Sequence, residues 1–180
     1  KPRFKIWPPS NLEELLSKLE SSTVMLFSLN IAPPYFEELL SKLDESIIVD
    51  NQKYDLFTNI CAQYISDGYK CLESFEKEYL PEFTFKVDDI KVVKTISMVY
   101  GRNTVVVQYK IKNGKKDAKL VLAPVVNFRD FHHMTTNHNF DIKQRQDYKN
   151  KIRIEIDGNA STPLYIYLND GDYFMHENDT

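Results

Sequence analysis

The stretch FTFKVDDIKVVKTISMVYGRNTVVVQYKIK, residues 83–112, decides the fold class. Phe83, Phe85 and Val87 alternate with polar residues, which is the period of a strand buried on one face. Beyond Asp88-Asp89, the residues Val92, Ile96, Met98 and Tyr100 line one face of the next run, with Lys94 as an exception in the row. Beyond Gly101-Arg102-Asn103, the residues Val105, Val107, Tyr109 and Ile111 line a third. Period-two runs joined by short polar turns predict antiparallel neighbours.

The same pattern extends outward. Ile152, Ile154 and Ile156 alternate with Lys151, Arg153 and Glu155, and Leu164, Ile166 and Leu168 alternate with Tyr165 and Tyr167. Asn113-Gly114, Asp157-Gly158 and Asn169-Asp170-Gly171 punctuate these runs, and such pairs tolerate positive φ. Residues 24–29 and 120–128 read as further strands, and residues 47–56 as an early hairpin turning at Asp50-Asn51. Residues 137–150 are polar without strand periodicity and read as a long loop. The expectation is an all-β antiparallel sandwich over residues 24–180, preceded by an extension, residues 1–23, with a short N-terminal helix. That helix is placed at residues 10–19, where Ser10 and Glu13 form a capping box and Leu12, Leu15, Leu16 and Leu19 share a face. Residues 37–43 repeat residues 13–19 letter for letter. Pro33-Pro34 before them and Ile47-Ile48-Val49 after them turn the reading toward a strand.

Composition excludes several function classes. A length of 180 residues with 42% hydrophobic and 27% charged residues is that of an ordinary folded domain. A net charge of −3, without a Lys/Arg block, argues against nucleic acid and against anionic membranes as partners. No apolar run reaches bilayer length, and the opening KPRFKIWPPS breaks at Pro8-Pro9, so the expected location is cytoplasmic. Cys61 and Cys71 fit no disulfide framework or zinc signature and read as packed thiols. No nucleophile elbow or phosphate-binding glycine loop occurs, and no cofactor is expected. Carboxylate pairs such as Glu73 with Glu76 arise by chance among 26 acidic residues, so no catalytic residue is assigned.

Two clusters carry the polar chemistry. Arg129-Asp130-Phe131-His132-His133 ends the strand at 120–128. Arg129, Asp130, His132 and His133 have the groups to hydrogen-bond sugar hydroxyls, or to fix a strand-to-loop corner as a buried ion pair with a satisfied histidine. Adjacent histidines on a strand point oppositely, which argues against a metal. In the second cluster, YISDGYKCLESF at 64–75, Tyr64 and Tyr69 offer rings for sugar stacking while Asp67 and Glu73 accept hydroxyl hydrogen bonds. The alternative there is a plain loop whose aromatics anchor in the core. Tyr165 and Tyr167 form either a wet aromatic patch or a contact with another domain.

The segments LLSKLDES (39–46), DGYKCLESF (67–75), FTFKV (83–87), GRNTVVVQYK (101–110) and LVLAPVVNFRDFHHMT (120–135) together resemble one family. It is the N-terminal domain of the bacterial and archaeal type of glycogen debranching enzyme, the amylo-α-1,6-glucosidases. The resemblance implies a β supersandwich followed by a catalytic (α/α) toroid domain on the same polypeptide, which hydrolyses α-1,6 branch points of glycogen. It further implies that these residues pack on that toroid and contact α-glucan through loops, with the catalytic carboxylates lying outside this chain.

Overall fold

The computed structural model describes residues 23–29, 37–61, 64–130, 141–156 and 159–174. Its strands are β1 (Thr23–Leu29), β2 (Glu37–Val49), β3 (Gln52–Asp55), β4 (Thr58–Cys61), β5 (Tyr64–Asp67), β6 (Leu72–Lys77) and β7 (Pro81–Val87). They continue as β8 (Ile90–Met98), β9 (Thr104–Lys112), β10 (Ala118–Asp130), β11 (Ile142–Tyr148), β12 (Lys151–Ile156) and β13 (Asn159–Leu168). A 3-10 turn, Gly68–Cys71, joins β5 to β6. The chain is therefore all-β with antiparallel pairing, as its periodicity predicts. The helix expected at residues 10–19 lies outside the described residues.

The turns form where short polar residues accept positive φ. Asp50 (φ 50°) and Asn51 (φ 63°) close the β2–β3 hairpin, with Val49 opposite Gln52. Asp88 (φ 53°) does the same between β7 and β8, where Val87 faces Ile90. The segment at 37–43 is a strand because β2 pairs along its length with β10, from Glu37 opposite Asp130 to Val49 opposite Ala118. That long ladder overrides the helical spacing of its leucines.

Two compact units emerge. The first comprises residues 1–32, 96–108 and 139–180. In it β12 pairs with β11 on one side and β13 on the other, and β13 pairs with β1. Ile152 faces Ile166 and Ile154 faces Leu164 across the ladder, all four buried, while Arg153 faces Tyr165 on the opposite face. The Lys151 ammonium lies 4.5 Å from the Tyr165 ring centroid, so that face is a cation–aromatic surface. Residues 142–148, expected as loop, form β11 instead. It ends the strand order and every residue in it is exposed, so its ladder holds it without an apolar face to betray it in the sequence.

The second unit comprises residues 33–95 and 109–138. One sheet has the order β10-β2-β3, and β6, β7 and β8 belong to another. Among its described residues, Ile47, Val49, Leu56, Phe85, Val87, Ile90, Val92 and Tyr109 form the buried hydrophobic core. Among them sits Glu45, only 3% exposed, because alternation along β2 places it on the same face as Ile47 and Val49. Lys94 of β8, the exception in its apolar row, forms an ion pair with Glu45, and the Tyr109 hydroxyl donates to Glu45 Oε1 at 2.8 Å. Burial, and then the neighbouring Glu45 charge, drive the Tyr109 phenol far above its ordinary value, so it remains a donor at any working pH. Lys94 also lies 5.8 Å from the centre of the Phe83 ring.

Removing one member of a buried pair costs more than removing both, since the survivor stays desolvated. Glu45→Gln, which keeps an acceptor for Tyr109, is expected to cost about 3 kcal/mol. The double variant Glu45→Gln with Lys94→Met should regain most of that, and urea midpoints of the three proteins check it.

Candidate functional site

The opposite face of β2 carries Lys42, Asp44 and Ser46, and the β4–β5 hairpin lies against it. Ser46 faces Asp55 across the β2–β3 ladder and donates to its Oδ1 at 2.9 Å. Lys53 forms an ion pair with the same carboxylate at 3.0 Å, and the Tyr64 hydroxyl donates to Asp55 Oδ2 at 2.5 Å. Asn59 donates to Asp44 Oδ2 at 3.3 Å, and Lys42 donates to both Asp44 (3.0 Å) and Asn59 Oδ1 (2.8 Å). The buried Ser66 hydroxyl accepts the Asn59 backbone N–H at 2.7 Å. The result is a row of two carboxylates, an amide, two ammonium groups and a phenol.

Asp55 is held ionised. Burial pushes its carboxyl up, but the hydrogen bonds from Tyr64, Lys53 and Ser46 together outweigh it and hold the carboxyl below its ordinary value. The hydrogen bond to Asp55 raises the Tyr64 phenol, so that pair exists as carboxylate and neutral hydroxyl at neutral pH. Tyr64 is 49% exposed, leaving part of its ring open to a ligand.

The cluster read from residues 64–75 separates into three places. Tyr64 joins Asp55. Asp67 turns to the other side of the hairpin, where Lys70 pairs with it and lies 5.9 Å from the Tyr69 ring centre. Glu73 faces Lys91, 3.6 Å away. Tyr64 on β5, Tyr69 in the 3-10 turn and Phe75 on β6 are all exposed, which goes against the reading that they anchor in the core. Cys71 is a free, half-buried thiol that burial pushes up. Arg129 and Asp130 end β10 opposite Glu38 and Glu37. His132 and His133 lie outside the described residues. Asp44, Asp55, Asn59 and Lys42 were not foreseen. They are ordinary surface residues in sequence, and only the pairing of Asn59 with Ser66 and Cys61 with Tyr64 aims them together.

Gly68 sets where the hairpin ends. Its N–H donates to the Phe57 carbonyl at 3.1 Å, and an added Cβ would stand 2.3 Å from that oxygen. Among the described residues no group of three or more histidines, cysteines or acids is arranged to hold a metal, and no helix is long and apolar enough to cross a membrane.

Comparison with known families reads this architecture as one already described. Residues 32–180 match the family described as glycogen debranching enzyme N terminal. The chain belongs to that family. No curated protein and no solved structure matches it. An N-terminal domain of a debranching enzyme implies other domains on the same polypeptide.

Two outcomes are expected. Tyr64→Phe, which removes the hydrogen bond to Asp55, should lower stability at neutral pH. Because the folded Asp55 value lies below its ordinary 3.8, the difference from the parent protein persists above that value and closes as pH falls through the folded one. Denaturation across a pH series measures it. Gly68→Ala should cost about 2 to 3 kcal/mol, seen as a lowered melting temperature, since the contact is with backbone that cannot swing aside.

Proposed function

We propose that this chain is the non-catalytic N-terminal domain of an α-1,6-glucosidase acting on glycogen-type α-glucan, that it packs on a catalytic (α/α) domain of the same polypeptide in the cytoplasm, and that it contacts glucan. The match over residues 32–180 carries the reading. The chemistry of the β2–hairpin row supports the glucan contact. Carboxylates accept hydrogen bonds from sugar hydroxyls, the Asn59 amide both donates and accepts, and the open part of the Tyr64 ring suits the apolar face of a glucose unit. The same row supports a binding role over a catalytic one. A glycosidase acid needs a raised carboxyl, and Asp55 is lowered, with hydrogen bonds from Ser46, Tyr64 and Lys53 already made.

Calorimetric titration of the chain with a maltooligosaccharide is expected to show weak, millimolar binding that Tyr64→Ala together with Asn59→Ala removes. A flat titration at millimolar sugar would overturn the glucan contact. The reading frame tests the packing: repeated amphipathic helices encoded beyond Thr180 are expected, and a stop codon there would refute it.

A further inference from the structure

The β4–β5 hairpin wears its faces in reverse. A two-stranded ribbon resting on a domain normally turns apolar residues inward and polar ones to water. Here the inward face carries Asn59 and Tyr64, held to β2 and β3 by hydrogen bonds to Asp44 and Asp55, and the buried Ser66, which accepts the Asn59 backbone N–H. Its outward face carries the directly opposed pair Ile60 and Ile65, which are 82% and 69% exposed. Thr58 lies on that same outward face, and its hydroxyl accepts the Tyr69 backbone N–H at 2.9 Å, so Tyr69, 62% exposed, stands at the base of the hairpin. The two isoleucines contact each other across the ladder but bury little else where they stand. Aliphatic pairs of this kind suit a protein surface and offer a sugar no hydrogen bond.

We propose that the outward face of the hairpin, Ile60 and Ile65 with Tyr69, is the docking surface for an apolar patch on another domain of the same polypeptide. This rests on the reading above that the chain is one domain of a debranching enzyme. The size of the face selects that occupant. The three side chains expose on the order of 400 Å², about half of the roughly 800 Å² per partner that a standard interface between separate molecules buries. A contact of that size holds when covalent linkage supplies an effective concentration in the millimolar range, as between domains of one chain. The paired Asp67 and Lys70 at its margin form a neutral, polar rim.

Hydroxyl-radical footprinting tests the assignment on unmodified side chains. Oxidation rates of Ile60, Ile65 and Tyr69 are compared between the 180-residue chain and the full polypeptide, each normalised to a free reporter peptide. A slowing of fivefold or more in the full polypeptide is expected. Equal rates overturn the proposal, whether the face is open in both or is already covered in the short chain by its own residues or a second copy. A debranching assay on the same full polypeptide separates the two readings. Protection in an inactive polypeptide sinks the activity and leaves the docking surface standing, whereas activity with unprotected isoleucines sinks the docking surface alone.

Discussion

The second unit depends on one buried charge. Glu45 stands in a row with Ile47 and Val49 on the inward face of β2, where a carboxylate without partners would not be tolerated. Lys94 reaches it from β8 and Tyr109 from β9, so the carboxylate joins the β10-β2-β3 sheet to two strands of the other. An apolar core tolerates small slips of one sheet over another, because one methyl group replaces the next. A carboxylate that must meet an ammonium and a phenol at hydrogen-bond distance does not, and the register of β2 against β8 and β9 follows from it.

The same strand also organises the outer surface. Since Glu45 points in, Asp44 and Ser46 point out, and β3 presents Asp55 beside Ser46. The hairpin that follows is drawn down by these oxygens. Its attachment is polar, which is why its inward face needs no leucine and why its outward face is free to carry isoleucine. One alternation along β2 thus accounts for a packed interior on one side and a hydrogen-bonding row on the other.

Much of the architecture was legible in the sequence. The strands at 83–112 and 151–168, and the turns at Asp50-Asn51 and Asp88-Asp89, follow from local patterns that act over a few residues. What escaped depends on distant pairing. Lys94 stood out as a flaw in an apolar row, but its partner Glu45 is 49 positions away (94 − 45), and no local pattern joins them. Strand β11 lacks an apolar face because it lies at a sheet edge, where the ladder alone maintains it. Of the site residues proposed from sequence, Tyr64 entered the polar row, Asp67 and Tyr69 went to the opposite side of the hairpin, and Glu73 went to Lys91. Sequence proximity gathered them, and strand alternation then dispersed them.

At one end of the second unit, three connections are bound into one. Lys116 bridges Asp50 and Asp88 from the two tight turns, at 2.8 and 3.6 Å, and Asp89 accepts the Lys115 N–H at 2.8 Å. A Cβ on Gly114 would fall 1.9 Å from Asp89 Oδ2, so the connection has no room even for alanine unless that carboxylate moves. A loop so engaged cannot change length without releasing its two neighbours. The turn between β8 and β9 differs, since Gly101 there has nothing within 4 Å of a would-be Cβ. Grafted peptides, new chain termini and natural insertions fit better at 100–103 than at the Lys116 end, where they would undo the bonds that tie three connections together.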